Sequence, residues 1–190
     1  MRHDRLIFIT HPEVVVDPKR EVTDWSLSET GRARVARFAA SALLVNVTRV
    51  WSSAERKAQE TADILSAYHG LTVRIEPDLG ENDRSATGFL PPQDFEAAAD
   101  AFFAAPDQSH LGWETARDAQ TRITSAVRRI CADHVDGDLA LVSHGAVGTL
   151  LLCALSGLPI DRAHDQPHQG HYWAAPLSTL TPEHGWRALS

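Results

Sequence analysis

The chain reads as a single α/β domain of three layers, with helices covering both faces of a mostly parallel central sheet. Short continuous apolar runs, Leu6 to Ile9 and Leu139 to Val142, have the character of strands buried on both faces. Between them lie segments whose apolar residues recur at helical spacing, and strands alternating with helices make a parallel sheet the expected arrangement. Composition agrees: 190 residues, 43% hydrophobic and 23% charged, suit one ordinary globular domain and exclude disorder or a fibrous repeat.

Residues 6–9 form the first strand, which Pro12 stops and which delivers His11 to its carboxyl end. Ser28 is the expected N-cap of a helix over residues 28–44, where Val35, Phe38, Ala39, Ala42 and Leu43 recur at helical spacing. Residues 47–51 make a second strand. Ser53 is a second expected N-cap, opening a helix through Ala54, Ala58, Ala62 and Leu65 that ends near Gly70, and a third strand is expected at 71–75. From Gly80 to Pro92 the composition shifts to Gly, Pro and charge; helices over 95–103 and 113–135 follow, with Phe95, Phe102, Phe103 and Trp113 assigned to the core. A buried strand at 138–143, a helix over 145–155 that starts straight after His144, and edge strands around 172–175 and 186–189 complete the domain.

Eighteen Lys and Arg against 25 Asp and Glu give a net charge of −7. Such a surface repels nucleic acid and anionic lipid, so neither is an expected partner, and a bound anion must meet a local positive site. Cys131 and Cys153 fall in helical segments and read as packed, reduced thiols, which fits a cytoplasmic protein. The apolar run within residues 1–10 is too short for a signal-peptide core, and the stretch 146–155 is about half a membrane span, so neither export nor membrane insertion is expected.

Ligands of open parallel sheets sit outside the carboxyl ends of the strands, where His11, Ser52, Ser53, Glu81 and His144 all fall. Taken alone each has an ordinary explanation, a satisfied core histidine or a solvated turn. Together, two histidines, a carboxyl and nearby cations suit nucleophilic attack on a phosphoryl group.

The ordered motifs resemble the histidine phosphatase superfamily, also called phosphoglycerate mutase-like. Phe8-Ile9-Thr10-His11-Pro12-Glu13 stands where that family has strand-arginine-histidine-glycine-glutamate, and Leu27-Ser28-Glu29-Thr30-Gly31 is similar to its leucine-threonine-x-x-glycine helix start. Ser52, Ser53, Lys57, Ala58, Thr61 and Ala62 resemble its serine-serine-x-x-x-arginine-alanine-x-x-threonine-alanine motif. Glu81 falls at the family's acid, Gly112-Trp113-Glu114 with Arg122 resembles a glycine-glutamate plus arginine pattern, and Val142-Ser143-His144-Gly145 is similar to the second histidine motif. The resemblance implies that His11 is a nucleophile forming a phosphohistidine, that Glu81 protonates the leaving oxygen and later assists water, and that His144 binds the phosphoryl oxygens. It implies no metal and no organic cofactor. The segment 84–112 lies where the family carries its substrate-selecting cap.

Two positions depart from the pattern: Thr10 replaces an arginine and Pro12 replaces the glycine. A guanidinium clamp in a dry phosphate site is worth on the order of 2–4 kcal/mol, and Thr10 offers one hydroxyl without charge. Lys57 flanks the apolar face of its helix and is preferred to Arg56 as the next cation, while Arg84 is either a replacement charge or the partner of Asp83 or Glu81. Thr10, Ser53 and Gly145 complete the expected phosphate contacts, the last two through helix amino ends. Asp17 is assigned no role and Glu13 either lines the pocket or caps its loop. His164, Asp165, His168 and His171 have a spacing open to a metal but read better as a wall or lid, with His171 near the substrate. The expected ligand is a phosphorylated small molecule or phosphoprotein. Two functions stand: a phosphomonoester hydrolase, and a catalytically weak phosphoester-binding or regulatory protein of the same fold.

Overall fold

A computed structural model describes residues 4–190; Met1 to His3, part of the stretch read above for a leader, lie outside them. Six strands form one sheet: β1 (Arg5–Thr10), β2 (Val47–Ser52), β3 (Val73–Ile75), β4 (Asp138–Ser143), β5 (His171–Pro176) and β6 (Arg187–Ala188). Their order is β3-β2-β4-β1-β5-β6, with β3, β2, β4 and β1 parallel and β5 antiparallel to both of its neighbours. The helices are α1 (Glu29–Ala39), α2 (Arg56–His69), α3 (Pro92–Ala104), α4 (Ala116–Ala132) and α5 (Gly145–Ser156). Among the described residues no helix is long and apolar enough to cross a membrane.

Alternation along β1 builds two cores. Leu6 and Phe8 point to one face, where they pack with Leu139, Leu141, Trp173 and residues of α3, α4 and α5. Ile7 and Ile9 point to the other and meet Val50, Ala140, Val142 and the apolar sides of α1 and α2. A strand covered on both faces has no position for a polar residue, which accounts for the unbroken apolar runs.

Element ends shift from the expected ones for local reasons. Ser28 caps α1 as expected, its hydroxyl accepting the Gly31 N–H at 3.1 Å. The helix stops at Ala39, not Leu44, because Ser41 is extended; Ala42–Leu44 is a separate single turn that drops Leu44 into the core. α2 is capped by Glu55 instead of Ser53, since Glu55 is the extended residue whose carbonyl accepts from Ala58 and Gln59. α4 begins after Thr115, whose hydroxyl accepts the Asp118 N–H at 3.0 Å, leaving Trp113 in the preceding loop. Trp113, Phe102 and Phe103 are buried in the core below the cleft, and Trp113 gives its indole N–H to Thr87 Oγ1 at 2.9 Å.

Candidate active site

Thr10 pairs with Ser143, and Ser52 with Val142, so the next residues, His11, Ser53 and His144, leave the sheet side by side. The rings of His11 and His144 lie 5.2 Å apart between centroids. His11 Nδ1 is 2.9 Å from the Pro12 carbonyl, which can only accept, so Nδ1 carries the proton and Nε2 keeps its lone pair. Proline at position 12 removes an N–H and retains the oxygen that fixes this tautomer. Burial, with the Lys57 charge, lowers His11 to about 4, so the ring is neutral near pH 7.

His144 is fully buried. Its Nε2 lies 2.7 Å from Ser53 Oγ and 3.4 Å from Glu55 Oε1, and Nδ1 has no partner among the described residues. Ser53 Oγ also accepts the Glu55 N–H at 3.3 Å, and with one proton and a second lone pair it can serve His144 Nε2 as donor or as acceptor. Burial holds the ring well below the ordinary histidine value despite the Glu55 charge.

Glu81 lines the same cleft at the start of α5. Its carboxylate oxygens accept N–H groups from Ala146 at 3.2 Å, Val147 at 3.0 Å and Asn82 at 3.1 Å. Burial raises its pKa against the pull of Arg84 and of these N–H groups, and the Glu55 charge adds to the rise. The turn carrying Glu81 is held from below: Arg122 donates to the carbonyls of Asp78 at 2.8 Å, Gly80 at 3.0 Å and Glu81 at 3.1 Å. The same guanidinium grips both oxygens of Glu114 at 2.9 and 2.8 Å, so the late Glu114/Arg122 pattern is a clamp behind the acid.

The expected phosphate contacts divide. Lys57, Arg84 and Gly145 line the cleft with His11 and Glu81. Lys57 Nζ donates to the Val22 carbonyl at 2.9 Å and pairs with Glu55, so its charge is already compensated. Arg84 makes no direct ion pair with Asp83 or Glu81, acting on Glu81 only through its charge, and its guanidinium lies 4.9 Å above the Phe95 ring. Thr10 and Ser53, by contrast, are fully buried behind the cleft wall. Ser53 serves His144, and the Thr10 hydroxyl is held by His171 and Gln166. The helix amino ends are also largely taken, since Glu81 occupies the first turn of α5 and the Glu55 N–H goes to Ser53.

The segment 165–169 forms a cleft wall as expected, but His171 lies behind it, packed 4.5 Å from the His168 ring. Among the described residues no three His, Cys, Asp or Glu side chains converge as metal ligands. Sequence reasoning missed three groups. Glu55 is held below the ordinary carboxylate value: burial opposes its ionisation, but the Lys57 ammonium and the Glu81 N–H at 2.8 Å outweigh it. Asn82 is buried beside Glu81 with an unpartnered Nδ2, and Gln166 faces the cleft from the 165–169 wall. The one available signal was adjacency: Glu55 is two residues from Lys57, and Asn82 follows Glu81.

Comparison with known proteins agrees with this architecture. None of the curated protein sequences compared matches the chain. Among solved structures, "Mycobacterial hydrolase 2" is 25% identical over 98% of this chain and 89% of its own, with a TM-score of 0.77. A mycobacterial glucosyl-3-phosphoglycerate phosphatase is 22% identical, covering 98% of this chain and 100% of its own at a TM-score of 0.80. YhfR of Bacillus stearothermophilus is 21% identical over 90% of each chain, with a TM-score of 0.75. The family model of the histidine phosphatase superfamily (branch 1) matches residues 6–187, and the chain therefore belongs to that superfamily.

Proposed function

We propose that the protein hydrolyses a phosphomonoester through a phosphohistidine on His11. The observation that carries this reading is the tautomer: Nδ1 is tied to the Pro12 carbonyl, and the ring stays neutral, so Nε2 has the lone pair an attack on phosphorus needs. In the first step Nε2 bonds to phosphorus while the P–O ester bond breaks. The electron pair moves to the leaving oxygen, which takes the Glu81 proton. Burial favours that proton at rest. In the second step Glu81, now a carboxylate, accepts a proton from water as its oxygen attacks phosphorus; the P–N bond breaks and its pair returns to Nε2. Arg84 lines the cleft and the His144 ring lies 5.2 Å from that of His11; both are assigned to the phosphoryl oxygens, which gather charge in both steps.

No metal ion or organic cofactor enters this scheme. The cleft encloses about 310 Å³, and Val14, Val22, Trp25 and Phe95 form an apolar part of its wall. That volume suits a small phosphorylated metabolite better than a phosphoprotein surface. Residues 84–112 supply Arg84, Phe95, Phe102 and Phe103 to the wall and act as the selecting cap.

The second reading, a phosphoester-binding or regulatory protein, draws on one feature: Lys57 is neutralised by Glu55 and Thr10 brings no charge. The test is release of phosphate from p-nitrophenyl phosphate with EDTA present. Turnover abolished in His11→Ala supports the hydrolase. Micromolar binding of phosphate esters without turnover, retained in His11→Ala, supports the binder.

A further inference from the structure

We propose that Gln166, held in place by Thr10, is a phosphate-binding residue that supplies through a neutral amide the contact an arginine would otherwise make. This rests on the anion site described above and deepens it. Thr10 ends β1 immediately before His11 and is fully buried, so its hydroxyl has no access to a ligand. That hydroxyl accepts the His171 N–H at 2.9 Å, and its single proton faces two acceptors, Gln166 Oε1 at 2.8 Å and the His171 carbonyl at 3.2 Å, the shorter contact being to Gln166. The Gln166 amide is thereby anchored through its carbonyl end. Its other end, Nε2, has no protein partner among the described residues, and the side chain lines the cleft with His11, Arg84 and Gly145.

The position of Nε2 is fixed by a second observation. A Cβ built on Gly145 would fall 2.4 Å from it, so the amide reaches over the first residue of α5. Glycine at 145 leaves room for that approach. The wall segment is held independently, Asp165 accepting from Thr149 Oγ1 at 2.8 Å and from the Gln166 N–H at 2.7 Å. The Nε2 N–H groups of this anchored amide are left for an anion in the cleft that His11 also lines. Arg84 and Gln166 reach the cleft from different segments, one from residues 84–112 and one from the 165–169 wall. The arginine at position 10 is therefore replaced by a relay, in which a buried threonine positions a donor from 156 residues away. Thr10 acts through Gln166 and is a positioning residue.

The experiment is calorimetric titration of the full chain with inorganic phosphate and with orthovanadate, neither of which requires turnover. Loss of a hydrogen bond to a charged group leads to the expectation that Gln166→Ala weakens both by about 10- to 100-fold. Gln166→Glu should weaken them further, by adding charge at the same point. Thr10→Ser should retain affinity and Thr10→Val should lose it. In the Thr10→Val background Gln166→Ala should then add little, because both act through one amide. Gln166 is in a partly exposed loop, so its variants report on the site even where Thr10→Val fails to fold. Unchanged affinity in Gln166→Ala overturns the proposal, and fully additive losses overturn the role of Thr10. Wild-type protein that binds vanadate through Gln166 but never turns over an ester retains this inference while removing the hydrolase reading.

Discussion

Arg84 and Lys57 bring the same charge to the cleft and are expected to fail differently when removed. Arg84 lies over Phe95 with no carboxylate ion-paired to it among the described residues, so Arg84→Ala should weaken vanadate binding by about 10-fold or more at nearly unchanged stability. Lys57 is buried against Glu55, and Lys57→Ala leaves that carboxylate uncompensated; a loss of about 3–5 kcal/mol in urea denaturation is expected. Equal stability of the two variants would contradict the ion pair. The pH profile follows from two groups. His11 must be neutral, which holds above about 4, and Glu81 must be protonated, which holds below its raised value. The kcat/KM of the wild-type protein should therefore trace a bell whose acid limb reports His11 near 4 and whose alkaline limb reports the raised Glu81, and Glu81→Gln should remove that alkaline limb. An alkaline limb that survives in Glu81→Gln would assign the acid elsewhere. That His11, Glu81, Lys57 and His144 come together was legible because each falls at or just beyond the carboxyl end of a strand. Glu55 and Gln166 were not, since a glutamate after a turn and a glutamine in a loop carry no pattern of their own.

Between the strands and the chemistry stand three short connections: the turn before Glu81, the start of α5 and the 165–169 wall. Arg122 ties the first of these through three carbonyls, and Arg122→Ala should lower kcat more than it raises KM, by about 10-fold or more, because the acid loses its fixed position. A change confined to KM would mean that the clamp serves substrate binding instead. Gly148 packs under β1, where an added Cβ would meet Phe8 at 2.6 Å and Trp186 at 2.7 Å. Gly148→Ala is expected to cost about 1–3 kcal/mol in denaturant unfolding with the cleft groups intact. Strand positions were readable because two-sided burial leaves continuous apolar runs. Helix ends were readable at Ser28, where the side chain caps, and misread at Ser53, where the same residue type is used by His144. Capping propensity is local, and a tertiary hydrogen bond of 2.7 Å outweighs it.

The whole domain places two neutral histidines at the carboxyl ends of its two central strands, and its stability should record them. His11 and His144 both have lowered values, His11 from 6.5 to about 4. Such groups contribute stability that is full above the unfolded value and lost as pH falls toward the folded one. At about 1.4 kcal/mol per unit, His11 alone accounts for roughly 3 kcal/mol between these limits. Glu81 acts with the opposite sign, contributing below 4.5 and losing its effect as pH rises through its folded value. The midpoint of urea unfolding should fall between pH 6.5 and 4, and fall less in His11→Ala. A midpoint independent of pH across that window would contradict the buried neutral rings. The topology was legible from alternating strands and helices, whereas the shape of the cleft was not. Residues 84–112 reach it through loop geometry and aromatic packing that have no sequence period. The central claim is that His11 becomes phosphorylated. The direct measurement is rapid acid-free quenching of the protein with a radiolabelled phosphomonoester, followed by mapping of the acid-labile label. The account requires label on His11, absent in His11→Ala and accumulating with good leaving groups in Glu81→Gln. Ester hydrolysis by wild-type protein that proceeds with no labelled intermediate, or with label on another residue, would contradict it.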